Sequence, residues 1–401
     1  MIKLTSRRAA LVLAGSAVAL VGGMLPAQAS ATGWRPVAKI SVKGDFALLT
    51  GVDAVTKSDA WAVGGAFTPR GTRPVGIIEH WTGRSWRRVA LPTAVAKIWN
   101  SYSRLSFPVV GASSATNVWA FSSAAGQGKN TDGYLRLAGR KWIVGALPGT
   151  NVASGHLVLI TATRVISTKD VWVFGGKLNV SASNPSFVPY AAHYNGRKWT
   201  PKSIPGAGAV VGVSEISAGN MWAAVGTPDL AGGAGGAATP SVAHWNGRAW
   251  TAAAVQPTQT ELPAGANLTS ILASRGGHVW IGGGATNAKG GTTEFAAELT
   301  GSTWTVSTLP ATASTGDFSL TSMAPDGHGG IWGIGGGLSA PSARIWHFTG
   351  GAWTGPSFGS AKRILFQLAT VPRTSSVWGV GAVVRGTGAD GLVVLDGPTP
   401  R

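Results

Sequence analysis

Cysteine is absent from all 401 residues. Its absence excludes disulfide staples, thiolate metal sites, a lipid anchor on Cys and any Cys nucleophile. Acids are scarce too: 15 Asp and Glu stand against 33 Lys and Arg, and only 12% of the chain is charged. So thin a supply of carboxylates builds no acid-rich calcium loop. A GxSxG elbow, a phosphate loop and an HExxH pair are also missing. After residue 30 there is no apolar run of the roughly 20 residues that a membrane-crossing helix needs.

Glycine, with 59 residues, and tryptophan, with 18, are abundant instead. The balance is too aromatic for a disordered chain and too Gly-rich for a helical one, so the fold class expected is all-β.

Residues 1–29 read as a signal peptide. Lys3, Arg7 and Arg8 precede an apolar Ala/Leu/Val run, and Ala27-Gln28-Ala29 is a small-x-small cleavage site. Ser6-Arg7-Arg8 resembles a twin-arginine export signal, although Ala10 stands where a Phe is typical, so the general secretory route fits as well. The mature chain, residues 30–401, is expected to be secreted into the extracellular space with no stable membrane insertion.

Two phrases alternate along the rest. The first is DAWAVGG at 59–65, NVWAFSS at 117–123, DVWVFGG at 170–176, NMWAAVG at 220–226, HVWIGGG at 278–284, GIWGIGG at 330–336 and SVWGVGA at 376–382. The second is HWTGRSW at 80–86, RLAGRKW at 136–142, HYNGRKW at 193–199, HWNGRAW at 244–250, ELTGSTW at 298–304 and HFTGGAW at 347–353. A period near 50 residues points to a propeller or solenoid rather than a string of domains. The first repeat divides into short runs at 46–54, 60–65, 75–81 and 84–90, separated by turn formers such as Lys57-Ser58-Asp59 and Thr82-Gly83.

The seventh copy of the second phrase is split. Gly391–Gly397 ends without its Trp, while Gly33-Trp34-Arg35 carries a Trp with no first phrase before it. The expectation is a single seven-bladed β-propeller of four-stranded antiparallel blades, closed by N- and C-terminal strands that share the last blade, because closure removes exposed strand edges. The Trp pairs of each repeat, such as Trp61 with Trp86, are expected to fill the wedges between blades.

WAVGG, then Trp81, Gly83, Trp86 and Leu91-Pro92, resembles the kelch repeat of galactose-oxidase-like propellers, and the pattern returns at Gly175-Gly176, Tyr194, Trp199 and Ile204-Pro205. The oxidases of that superfamily build their cofactor on a Cys and a Tyr. The resemblance therefore implies the fold without that chemistry, and no cofactor is expected.

His80, His193, His244 and His347 are repeat-equivalent, which puts them one blade apart, too far to share an ion whose ligands lie about 2 Å away. No metal is expected; each imidazole should bond a backbone group at a hairpin. His278 takes the position of Asp59 and reads as a turn residue.

Three readings of function follow. The first is a secreted, non-catalytic binding propeller, whose mature charge is +15, since three of the 33 cations and none of the 15 acids leave with the leader. Such a charge attracts an anionic glycan or wall polymer. A protein docked on the loop face is the other partner considered. Nucleic acid is not expected, because the basic residues are scattered over hairpin tips rather than gathered on a helix. The link 93–107 is the candidate ligand-binding site: Trp99 and Tyr102, flanked by Lys97 and Arg104, suit stacking on a sugar ring beside acidic groups. Alternatively, this link folds over the rim with Trp99 buried. The second reading is a scaffold without a small ligand. The third is a glycan lyase or hydrolase using Asp53 or Glu215, the two carboxylates on inner strands, since paired-carboxylate hydrolysis needs separations of about 5–10 Å.

Overall fold

The computed structural model describes residues 33–42, 46–67, 75–102, 108–123, 133–150, 156–179, 186–228, 238–286, 292–310, 319–337, 340–355, 362–386 and 388–397. Leader residues 1–29, the glycine-rich run 231–237 and Arg104 lie outside them. The described residues form 28 strands and one helix.

The strands fall into four-strand units, each a meander of consecutive antiparallel pairs running from an inner to an outer strand. Unit one spans 46–88, unit two 109–146, unit three 156–201, unit four 209–252, unit five 266–308 and unit six 319–354. Unit seven combines the three strands of 363–396 with the strand Arg35–Ile40, which pairs antiparallel with Gly388–Asp396 from Arg35 opposite Leu395 to Ile40 opposite Gly391. Inner strands touch in succession from unit one to unit seven, and that of unit seven touches that of unit one.

Units two to six are separate sheets. Units one and seven are not: a single parallel bridge, Phe46 to Ala389, joins them into one mixed eight-stranded sheet. The expectation of antiparallel blades alone is corrected here. Its cause is an apolar cluster of Leu48, Ala382 and Ala389, packed by Phe46, Phe67 and Phe366, which draws the start of one inner strand onto the edge of the other unit.

Each phrase now has a structural meaning. In the second, Gly83, Gly139, Gly196, Gly247 and Gly301 take positive φ, between 63° and 89°, at the outer hairpin. At Asn195-Gly196 only the glycine is left-handed, and the Asn195 side chain caps the turn by accepting from the amides of Arg197 and Lys198. In the first phrase, the residue three after the Trp is a glycine in five units: Gly64, Gly175, Gly283, Gly335 and Gly381. A Cβ at Gly335 would strike the Glu294 side chain, and at the other four it would collide with the carbonyl of the inner strand beside it, as at Leu159 for Gly175. That carbonyl is pushed forward by a β-bulge. Pairing slips at Thr50, Thr161, Val211, Thr269, Thr321 and Phe366 of the inner strands.

The first-phrase tryptophans pack across units rather than against the second-phrase Trp of their own unit, while Trp81 with Trp86 and Trp245 with Trp250 meet between strands of one unit. Trp61 is aligned with His80, and Trp86 with Trp81. The Trp of each first phrase meets the second-phrase Trp of the next unit edge to face: Trp61 with Trp142, Trp119 with Trp199, Trp172 with Trp250 and Trp280 with Trp353. Trp222 and Trp304 share one cluster. Trp332 meets Trp34 at 5.4 Å between centroids, and Trp378 meets Trp86 at 5.2 Å. Such pairs add about 0.5–1.5 kcal/mol beyond the area they bury.

The repeated histidines bond side chains rather than the backbone groups expected. His80 Nε2 lies 2.8 Å from Asp59 Oδ1, which also accepts from the Trp61 indole, and the imidazole stacks on that indole at 4.0 Å. His193 repeats the arrangement with Asp170 and Trp172. His244 pairs with Asn220. In unit six the position of Asp59 is Gly330, and Asp326 reaches His347 instead, held by the amides of His328 and Gly330. Unit five swaps the pair: His278 stands in the acid's place and Glu298 in the histidine's, 2.7 Å apart. In unit two Arg136 replaces the histidine and lies 4.5 Å above the Trp119 ring.

Candidate functional site

The link after unit one is a helix, Thr93–Tyr102, rather than a loop. Val95, Ile98, Trp99 and Tyr102 recur at helical spacing, a signal that the aromatic-plus-cation reading passed over. Trp99 is fully buried in a cluster with Trp61, Ile78 and Leu135, so it serves the packing alternative rather than sugar stacking. Asn100 pins the helix to unit one by accepting from the Gly76 amide at 2.9 Å. Lys97 is exposed. The Tyr102 side chain and Arg104 lie outside the described residues.

The inner strands instead bring residues together at the centre. Seven side chains, Thr50, Val109, Thr161, Val211, Thr269, Thr321 and Phe366, one from each inner strand, border two cavities of about 150 and 180 Å³. All but Val109 are bulge residues, so each of these bulges also aims a side chain inward. No motif search finds this ring, because the signal is a two-for-one register slip repeated around the fold. Arg164, Ser270, Ser322 and Gln367 supply further polar side chains to the first cavity; Leu159, Ile160 and Pro228 complete the second.

Side chains at the centre tie neighbouring units together. Thr50 Oγ1 donates to the Pro108 carbonyl at 2.8 Å, and Thr269 to that of Leu320 at 2.8 Å. Gln367 Oε1 accepts from the Val52 amide at 2.9 Å, and Ser322 Oγ from that of Leu368 at 3.1 Å. Asp53 Oδ2 accepts from the Ala112 amide of unit two at 2.8 Å, while Oδ1 accepts from Ala54 at 2.9 Å. Arg164 donates to the Thr163 carbonyl and, across units, to that of Val213.

Asp53, Arg164 and Glu215 form one electrostatic group. Burial pushes the Asp53 carboxyl above its usual 3.8, against the pull of the Ala112 amide and the Arg164 charge. Burial likewise raises Glu215, opposed by Arg164 and reinforced by Asp170 and Asp53. The guanidinium of Arg164 is itself lowered by burial, and both carboxylates resist that shift. The two acids singled out from sequence are thus brought into one field by a cation that sequence reasoning did not name. Among the described residues no three His, Cys, Asp or Glu side chains gather into a metal-binding group.

No protein-family model matches the sequence, and no curated protein does. Solved structures do. YCF48 bound to a D1 peptide matches with a TM-score of 0.51 at 12% identity, covering 90% of this chain and 95% of that one. A protein of unknown function from Dyadobacter fermentans matches with a TM-score of 0.50 at 11% identity, covering 91% and 99%. At such identities the likeness establishes the fold alone, and that fold is a β-propeller.

Proposed function

We propose that this chain is an exported, non-catalytic, kelch-like propeller that binds an extracellular ligand, with its units acting as seven blades and the strand Arg35–Ile40 completing the last. One observation carries the non-catalytic part. Both oxygens of Asp53 accept backbone amides, one of them from the next unit, and Arg164 offsets Glu215 while bonding two carbonyls, so these charges serve to join blades. A general acid or base needs a free face toward its substrate. Binding then rests on the outer surface, and the 30 cations against 15 acids of the chain without its leader favour an anionic wall polymer or glycan.

The test is co-sedimentation of the mature protein with a cell-wall polysaccharide preparation, with the supernatant assayed for released sugars. Protein in the pellet and no sugar release is expected. Turnover that is lost in Asp53→Asn or Glu215→Gln would overturn the reading in favour of a lyase or hydrolase.

A further inference from the structure

The cations that lie scattered along the sequence gather in three dimensions. In each antiparallel unit the turn between strands one and two and the turn between strands three and four emerge at the same end. The two turns also touch: Gly83 packs on Ser58, Gly196 packs on Lys169, and the Gly139 amide donates to the Thr116 carbonyl at 2.8 Å. Both turns are basic in the early units. Lys57, Arg84, Arg140, Lys169, Arg197 and Arg248 are exposed at these tips across units one to four, whose inner strands are in contact in that order.

No exposed acid offsets them among the described residues of these units. Asp59 and Asp170 are held by His80 and His193, Glu79 is buried against Arg88 at 2.5 Å, and Asp53 and Glu215 belong to the central group. Units five to seven differ. Among their described turns at this end only Arg275 and Arg373 are cationic, and their outer hairpins read Gly301-Ser302 and Gly350-Gly351.

We infer that this arc of hairpin tips is the docking surface for a linear anionic polysaccharide, laid across units one to four; the inference rests on the binding reading above. One guanidinium recurs per unit at the outer hairpin, an even array that meets evenly spaced acidic groups on a chain, and each planar fork pairs with a carboxylate in two-point fashion. The occupant follows from what the arc omits. The indoles of these hairpins pack inward, with Trp81 buried and Trp86, Trp142 and Trp199 half-buried, so no ring is offered for base stacking. Among the described residues the exposed large apolar ones, Ile98, Ile143 and Val188, lie outside the tips, so none of them offers the tips an anchor in a lipid interface.

The experiment measures binding of the mature protein to polygalacturonate at low ionic strength, with dextran, an oligothymidylate and phosphatidylglycerol vesicles as controls. The variant Arg84→Glu, Arg140→Glu, Arg197→Glu, Arg248→Glu should lose roughly a hundredfold or more in affinity, because several cation contacts to one polyanion are removed together. Arg275→Glu with Arg373→Glu should retain nearly all of it. The four-site Gln variant, whose melting temperature reports folding, should fall between the two. Equal losses in the four-site and two-site variants would overturn the arc, as would preference for the oligonucleotide or the vesicles. Wild-type protein that sediments with walls yet ignores every soluble polyanion would overturn the arc alone. Release of sugars from the walls would overturn the binding reading beneath it.

Discussion

Asn220 separates the histidine of unit four from its equivalents, for His80, His193 and His347 each face a carboxylate while His244 faces an amide. Burial holds the His244 pKa below its usual 6.5. A depressed histidine means that the folded state binds fewer protons than the unfolded one. Its contribution to stability is therefore intact above pH 6.5 and lost as pH falls through the folded value. Asn220→Asp should raise the His244 pKa, and titration of its ring protons by NMR checks this; an unchanged or lower value would contradict the pairing. Arg164 is the second test at this scale. Asp53 and Glu215 are raised in the fold, so the stability tied to their protonation is present in acid and lost as pH rises through their folded values. Arg164→Leu removes the offsetting charge and should cost about 3 kcal/mol at neutral pH. The loss should shrink on acidification, as thermal melts across pH would show. A pH-independent loss would assign Arg164 to packing alone.

Elements were legible from sequence where a phrase repeats and illegible where a register slips. The double Gly after Trp61, Trp172, Trp280 and Trp332 points to close backbone approach, but the bulges at Thr50, Thr161, Val211, Thr269, Thr321 and Phe366 leave no such mark, because four are Thr in a chain rich in Thr and only the register slip sets them apart. Between the two readings of Trp99, a different kind of signal decides. Its aromatic and cationic neighbours draw attention, whereas the helical spacing of Val95, Ile98, Trp99 and Tyr102 decides which way the ring points. Trp99→Ala should lower stability by roughly 3–5 kcal/mol, measured by denaturant unfolding, and leave wall binding intact among folded molecules. A fully stable variant that no longer binds would return the helix to the role of recognition element. The central group was half visible: Asp53 and Glu215 stand out because acids are rare, while Arg164 is one of many cations until the fold puts it between them.

At the scale of the whole molecule, the cysteine-free chain makes closure easy to test. Ala38 and Val393 are register partners and pack on one core cluster. Ala38→Cys with Val393→Cys should cross-link within the monomer on oxidation and raise the melting temperature, since the bridge closes a loop of nearly the whole chain. Failure to cross-link, or cross-linking only between molecules, would break the assignment of Arg35–Ile40 to the last blade. Split phrases at residues 33–37 and 391–397 made this pairing legible from sequence. The gathering of charge was not, because hairpin tips 50 residues apart become neighbours only when consecutive units stack side by side.

Attachment to a polyanion through exposed charge is the central claim, and its most direct measurement is the association constant with a wall polysaccharide preparation across a range of salt concentrations. Exposed charges are screened beyond about 8 Å at physiological ionic strength, and each ion contact made releases counterions from the polymer. The account predicts a straight, steeply falling plot of log affinity against log salt, with a slope that flattens when the four hairpin arginines are replaced. A flat plot for the wild-type protein would contradict it.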